Sequence, residues 1–220
     1  MRILDLFCGA GGAAMGYYRA GFDVVGIDHI PQPRYPFSFI REDAIDLLED
    51  IVYKRVRLNF DAIHASPPCQ AYSDLQKQSK RDYYPDLIEP TRVLLQETGL
   101  PYVIENVETA PLIDPVILCG VAFDELRVIR HRGFETNFFL PQQPHYSHPL
   151  CFTHDKRKSH YGKLDEMKDY VMVNGGGNCS KAAAADAMGI DWMTKKELNE
   201  AIPPAYTEYV GKFLKLYLSK

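Results

Sequence analysis

Cysteine is scarce in this 220-residue chain, and its five cysteines form no evident set of pairs. Cys8, Cys69, Cys119, Cys151 and Cys179 are odd in number and make no CxxC motif. That argues against a disulfide framework and fits a reducing compartment. Long apolar runs are missing as well: no stretch approaches about 18 apolar residues. The opening "MRILDLFCGAGG" has no charged leader before an apolar run, so the expectation is a soluble, cytoplasmic protein with no membrane partner. Positive charge is not in excess. A formal net charge of −4 excludes a globally basic nucleic-acid binder but leaves room for a local basic face. The single tryptophan, Trp192, is expected as a core anchor under the last helices rather than a base-stacking residue. No internal repeat is present. What remains is ordinary for a globular protein, with 46% hydrophobic and 25% charged residues, and the length suits one domain with a small insertion.

The first two thirds alternate between short apolar runs and helix-like segments. "RILDLF" reads as a strand, followed by the glycine loop "CGAGG" and the helical "AAMGYYRAG", which Gly21 ends. "DVVGID", "FDAIHAS" and "PYVIENV" read as further strands. "AIDLLEDIVYKRV" and "PDLIEPTRVLLQETG" read as helices, the second with its prolines in the early turns. This alternation predicts an α/β fold, a mostly parallel sheet with helices on both faces. "VILCGVAF" and "RGFETNFFL" are expected as closing strands in an antiparallel hairpin. From about Pro141 the chain is rich in Pro, His and cations without a period, so residues 141–172 are expected as a short insertion between a catalytic part, 1–140, and a C-terminal segment, 173–220, that completes it. In that last segment Ser180 caps "KAAAADAMG", "TKKE" matches a capping box, and "PPAYTEYVGKFLKLYLSK" opens a final helix on prolines.

Gly9, Gly11 and Gly12 stand between a strand and a helix, where they either make a tight turn or bring backbone amides to a ligand. Asp28, at the end of the next strand and about 20 residues on, suits ribose hydroxyls. Asp43, at a third strand end, suits an exocyclic adenine amine. Each acid is otherwise a solvated helix cap. Three consecutive strand ends with ligand-like groups favour a nucleoside-bearing cofactor, and the absence of a second nucleotide half favours a single adenosine. "ASPPCQ" then places Cys69 beyond a strand end after two prolines, and Glu105-Asn106 ends the neighbouring strand. A lone cysteine is usually a small buried hydrophobe; at a crevice beside a carboxyl it is a candidate nucleophile paired with a candidate acid. Arg130-His131-Arg132 alternates two cations on an apparent strand, which points both arginines to one face or leaves them on a solvated edge.

With "DLFCGAGG", "SPPCQ" and "ENV" in order on successive strands, the chain resembles the cytosine-C5 DNA methyltransferases. The resemblance spans about residues 3 to 132, with a looser match near the C-terminus. It implies a Rossmann-like class I methyltransferase fold and S-adenosylmethionine as cofactor. It further implies methylation of cytosine C5 in DNA, with a restriction-modification setting, through an adduct between Cys69 and C6 of a flipped-out base. In that resemblance Cys69 falls on the nucleophile, Glu105 on the carboxyl at the ring nitrogen, and Arg130 and Arg132 on the paired arginines. Phe7, Gly9, Gly11, Gly12, Asp28, His29, Asp43, Ala44 and Pro67 fall on cofactor-lining positions. Ser66, Pro68, Gln70 and Asn106 are implied contacts to the extruded nucleotide. Lys156, Arg157 and Lys158, with His145, His148, His154, His160 and Lys163, form a candidate phosphate-contacting loop.

The departures are specific. Only about 40 residues separate Arg132 from Met172, where the family carries a sizeable recognition region, so short or relaxed sequence specificity is expected. Val128 stands where the arginine motif opens with glutamine, and "NEAIPP" replaces a "GNSVPP"-like segment, keeping Pro203 and Pro204 but putting Glu200 in place of asparagine. The same chemistry on structured RNA or single-stranded DNA, and a catalytically silent DNA-binding homologue, are the competing readings. Lys77, Lys80 and Arg81 either track a nucleic-acid backbone or form a solvated face. His145, His148, Cys151 and His154 recur every third residue, but without a second Cys or His pair no metal is expected. A monomer is expected.

Overall fold

The computed structural model describes residues 1–55, 59–70, 72, 85–152, 164–175 and 178–220. In chain order the elements are β1 (Arg2–Leu6), α1 (Gly12–Arg19), β2 (Asp23–Asp28), β3 (Ser38–Arg41), α2 (Ala44–Val52), β4 (Ala62–Ala65), α3 (Ile88–Thr98) and β5 (Tyr102–Asn106). β6 (Val116–Leu118) and β7 (Arg132–Thr136) follow, then the two-residue strands β8 (Cys151–Phe152) and β9 (Tyr170–Val171). α4 (Lys181–Met188), α5 (Lys195–Glu200) and α6 (Pro204–Leu218) close the chain. The main sheet runs β3-β2-β1-β4-β5-β7-β6, parallel except for β7, which is antiparallel to both neighbours. This is the expected Rossmann-like α/β architecture with its antiparallel hairpin. The strand order reverses between β1 and β4, the crevice where open α/β sheets bind ligands.

Side chains alternate across a strand, so each strand feeds two cores. Leu4, Leu6, Val25, Ile27, Ile63, Ala65 and Ile104 pack with Leu47, Leu48 and Leu95 of α2 and α3. Ile3, Val24, Ala62 and Val103 pack with α1 and α6 on the opposite face. On that second face the residue two positions further along each strand is not a large hydrophobe: Asp5, Gly26, His64 and Glu105. Asp5 and His64 are Cα partners across β1 and β4, and Asp5 and Gly26 across β1 and β2. All three polar side chains are buried. A row of ionisable groups thus crosses the middle of a sheet that is otherwise apolar.

The helix boundaries follow local chemistry. Asp43 accepts from the amides of Ile45 and Asp46 and starts α2; Ser180 caps α4, which ends on Gly189; Thr194 and Glu197 form the expected capping box. The predicted strand "VILCGVAF" stops after Leu118 and turns into a single 3-10 turn at Gly120–Ala122. The reason is a close approach: a Cβ on Gly120 would lie 2.0 Å from the Val128 carbonyl oxygen. Among the described residues no helix is long and apolar enough to cross a membrane.

α6 returns from the C-terminal segment to lie on α1. At the crossing, a Cβ on Gly16 would sit 2.1 Å from both the Pro204 carbonyl oxygen and Thr207 Oγ1. Thr207 Oγ1 in turn donates to the Ala13 carbonyl at 2.8 Å. Backbone cannot yield as a flexible side chain can, so Gly16→Ala is expected to destabilise by about 2 to 3 kcal/mol. Denaturant unfolding checks this, and a loss below about 0.5 kcal/mol would show that the helices separate freely.

Candidate active site

One pocket of about 280 Å³ opens at the C-terminal ends of β1, β2 and β4. Its wall carries Phe7, Gly9 and Gly12 from the glycine loop, Asp28 and His29 from the end of β2, and Ser66, Pro67, Pro68, Cys69 and Gln70 from the loop after β4. Glu105 and Arg132 close the far side, and Met193, Glu197, Glu200, Ala201 and Ile202 come from the C-terminal segment. Cysteine, carboxyl and glycine turn therefore share one cavity.

Not every expected residue reaches it. Gly11, Asp43 and Ala44 do not line the pocket. Gly11 holds the turn at φ 84°, with a Cβ position 2.7 Å from Pro36, and Asp43 spends Oδ1 on the α2 cap. Asn106 lies behind the loop rather than in the cavity: its Nδ2 donates to the Pro67 carbonyl at 2.8 Å, bracing the turn that carries Cys69. The two arginines also part company. Arg132 Nε stands 3.0 Å from Glu105 Oε1, whereas Arg130 is buried and donates to the carbonyls of Val173 and Asn199. Lys156, Arg157, Lys158, His154, His160 and Lys163, like Lys77, Lys80 and Arg81, lie outside the described residues.

The sequence reading missed the groups behind the wall. Tyr17 Oη lies 2.9 Å from His64 Nδ1, and His64 Nε2 lies 2.9 Å from Ser66 Oγ. The Ser66 hydroxyl hydrogen-bonds Glu105. Burial pushes the fully buried His64 from its ordinary 6.5 down to about 3, so the ring is neutral, with one nitrogen donating and the other accepting. If the Tyr17 hydroxyl donates to Nδ1, Nε2–H donates to Ser66, and the Ser66 hydroxyl is free to donate to Glu105. On the next strand, Tyr35 crosses over Gly26 and donates to Asp5 Oδ2 at 3.2 Å. Burial raises Asp5 to about 8 against that hydrogen bond, so it holds a proton at neutral pH. A polar residue two places after an apolar one in each strand was the available signal.

Opposing forces act on Cys69 and Glu105. Burial raises the Cys69 thiol; Arg132 pulls it down, Glu105 pushes it up, and Arg130 lowers it further. Burial also raises the Glu105 carboxyl against Arg132, Ser66 and Arg130. Glu105 is thereby biased toward the protonated form that can donate.

The glycine loop is held from three sides. Asp28 Oδ2 accepts from the Gly9 amide at 3.1 Å, its Oδ1 accepts from the Ile30 amide at 2.9 Å, and Trp192 Nε1 donates to the Ala10 carbonyl at 2.8 Å. Trp192 thus ties the C-terminal segment to the loop. Glu197 does the same for the stretch after β2 through a two-pronged pair with Arg34.

Comparison with known proteins decides the relationship. The model of the C-5 cytosine-specific DNA methylases matches residues 1–110, half of the chain. The chain belongs to that family. Type II methyltransferase M.XorII of Xanthomonas oryzae pv. oryzae is 29% identical over 117 residues, 48% of this chain but only 28% of the relative. Type II methyltransferase M.HgiGI of Herpetosiphon aurantiacus is 29% identical over 119 residues, 51% of this chain and 94% of that relative. The chain thus spans little more than a quarter of M.XorII. Among solved structures, a DNA modification methyltransferase encoded within an E. coli prophage superposes with a TM-score of 0.65 at 17% identity, covering all of both chains. S. pombe Dnmt2 methyltransferase superposes with a TM-score of 0.59 at 14% identity, covering 100% of this chain and 99% of that one. These likenesses establish the methyltransferase fold.

The family's cofactor, S-adenosylmethionine, fits the pocket. Asp5 Oδ1 and Gln70 Oε1 are buried on its lining residues with no hydrogen-bond partner among the described residues; with Oδ2 occupied by Tyr35, protonated Asp5 offers a ligand a donor at Oδ1, and Gln70 offers an acceptor.

Two measurements probe these electrostatics. The folded state keeps His64 neutral down to about pH 3, while the unfolded chain protonates it below about 6.5. The unfolded state therefore binds the extra proton, and stability falls as pH drops through that window, by at most about 1.4 kcal/mol per pH unit. Unfolding at a series of pH values should show a shallower acid limb in His64→Gln; an unchanged limb would remove His64 as its source. For Cys69, Arg132 is the largest favourable influence on the thiolate, so Arg132→Ala should move the alkylation midpoint of the Cys69 peptide to higher pH. Iodoacetamide labelling read by mass spectrometry reports it, and no shift or a downward one contradicts the assignment.

Proposed function

We propose that the chain transfers a methyl group from S-adenosylmethionine to C5 of cytosine in DNA, acting on a flipped-out base with short or relaxed sequence specificity. The observation that carries this reading is the shared cavity, in which the Cys69 thiol, the Glu105 carboxyl and the Gly9–Gly12 turn face one space. When bound, S-adenosylmethionine supplies an electrophilic sulfonium methyl. Phe7, Gly9, Gly12 and Asp28 would hold it, with protonated Asp5 offering a donor and Glu200 an acceptor.

The chain's own groups make cytosine reactive. The carbon C5 is a poor nucleophile in the aromatic ring. Cys69, as thiolate, adds to C6 while protonated Glu105 gives its hydrogen to N3, and the ring becomes an enamine nucleophilic at C5. Arg132 favours the thiolate and holds Glu105 in place. After methylation, a water in the pocket takes the C5 proton, the C6–S bond breaks with its electron pair leaving on the Cys69 thiolate, aromaticity is restored, and the N3 proton returns to Glu105. The Tyr17–His64–Ser66 chain keeps the Glu105 carboxyl oriented from behind. Pro67 and Pro68 fix the loop's angle, and Asn106 braces it. A base within a duplex must leave the stack to reach this depth, at a cost of a few kcal/mol. Ser66 and Gln70 line the same pocket, which supports them as contacts to the extruded nucleotide.

Incubation with tritiated S-adenosylmethionine and separate DNA and RNA pools tests the proposal. Label on DNA that disappears in Cys69→Ser is expected, and Glu105→Gln should slow transfer by about 10²- to 10⁴-fold. Duplex DNA carrying 5-fluorocytosine cannot lose a C5 proton, so it should trap a denaturation-resistant complex through Cys69. Label confined to RNA would transfer the same chemistry to that substrate. Label on neither pool would leave a silent homologue and overturn the proposal.

A further inference from the structure

Away from the pocket, four side chains from three segments converge. They are Cys119, just after β6; His131, just before β7; and His145 and His148, on the stretch after Leu140. Their ligand atoms all lie within 4.8 Å of one another. His131 Nε2 is 3.0 Å and His148 Nε2 is 3.1 Å from His145 Nε2, and Cys119 Sγ is 3.6 Å from His148 Nε2. Cys119 is buried, His131 half-buried and the other two exposed.

Hydrogen bonding alone satisfies this arrangement poorly. A neutral ring nitrogen either carries a hydrogen and no free lone pair, or one lone pair and no hydrogen. His145 Nε2 therefore cannot donate to one neighbouring ring and accept from the other. A cation at the centre would take a lone pair from every atom at once. Tetrahedral zinc, at about 2.0 to 2.1 Å from nitrogen and about 2.3 Å from sulfur, requires edges of roughly 3.3 Å between nitrogens and roughly 3.6 Å between sulfur and nitrogen. The contacts lie close to those edges. His131 Nδ1 is 4.0 Å from a Glu108 carboxylate oxygen, a carboxylate near enough to become the imidazole's outer partner after a small side-chain rotation.

We propose that Cys119, His131, His145 and His148 bind one zinc ion as a structural clamp. One thiolate with three imidazoles suits zinc over the harder divalent cations, and four protein ligands leave no open position for hydrolytic chemistry. This set departs from the every-third-residue set in the sequence. Cys151 lies outside the converging group and contacts the Phe152 carbonyl instead, and His154 falls outside the described residues. The clamp pins the stretch after Leu140 to the β6–β7 hairpin. Because His131 stands between Arg130 and Arg132, it also fixes the backbone from which Arg132 reaches Glu105. The zinc assignment does not rest on the proposed methyl transfer.

The test uses the full chain with no histidine tag. Elemental analysis of the purified protein should find about one zinc per chain. Cobalt(II) added to the metal-stripped chain should give the intense visible bands of a tetrahedral site and a thiolate charge-transfer band. Cys119→Ser should abolish the charge-transfer band. His145→Ala and His148→Ala, at exposed positions that leave the core intact, should each weaken cobalt binding by more than about a hundredfold, and Glu108→Gln by about tenfold. Cys151→Ser should change nothing. The proposal is overturned if the chain neither carries zinc nor binds added zinc or cobalt. It is also overturned if the cobalt spectrum survives in Cys119→Ser and His145→Ala, or if Cys151→Ser alone removes the charge-transfer band.

Discussion

Burying a row of ionisable groups in the middle of a parallel sheet is the constraint on which this structure depends. Asp5, His64 and Glu105 sit where the neighbouring strands' pattern would place large apolar side chains, and all three are shut away from solvent. Unpartnered, each would cost several kcal/mol. The structure meets the cost with hydroxyls drawn from two sides, Tyr35 over β2 and Tyr17 from α1. Tyr35 reaches Asp5 only because position 26 has no side chain. Tyr17 reaches His64 only because α1 lies close against the sheet, held by α6 through the crossing at Gly16 and the Thr207 bond to Ala13. The last helix in the sequence thus keeps a polar chain beneath the first strands in order.

The same constraint explains what the sequence disclosed. Strands and helices were legible where a strong local period meets a local boundary signal: Gly21 after α1, and in the C-terminal segment the Ser180 cap and the Thr194–Glu197 box. Cys69 and Glu105 were legible because their neighbours, two prolines and an asparagine, belong to a loop and a strand end rather than to packing. Asp5 and His64 were passed over because one polar residue inside an apolar run is a weak signal in any single strand; only its repetition at the same place in neighbouring strands marks it. Their partners lie 30 and 47 residues away, at distances only the fold closes. The convergence of Cys119 and His131 with His145 and His148 was invisible for a related reason. Metal-ligand spacing is read along the chain, and here two ligands come from the hairpin and two from the segment that folds back on it.

Charge at the reactive pair is balanced rather than maximised. Burial works against both ionised forms, raising thiol and carboxyl alike, and Arg132 works for both. The proposed chemistry asks for a proton-donating Glu105 and a nucleophilic Cys69, opposite demands on one small volume. With Arg132 beside the carboxyl, Arg130 acting from further off and a neutral imidazole behind it, burial still biases Glu105 toward the protonated form. His64 serves this balance because its own burial keeps it uncharged.

The paired arginines show how residues that look equivalent in a motif divide their work. Arg132 opens β7 and faces the pocket, while Arg130 precedes the strand and points into the C-terminal segment. There it donates to the carbonyls of Val173 and Asn199, while its own carbonyl accepts from Tyr206 of α6. A buried guanidinium whose Nη1 and Nη2 donate to backbone oxygens, with Nε left without a partner among the described residues, is a joint between segments, and Arg130 joins the hairpin to the stretch that supplies Glu200, Ala201 and Ile202 to the pocket wall. The alternation along residues 130–132 thus sends one cation to the chemistry and the other to the seam. Substitution at the two positions should therefore differ in kind: a change at Arg132 alters the titration of Cys69 with the fold kept, and a change at Arg130 leaves carbonyls buried without donors and loosens the wall.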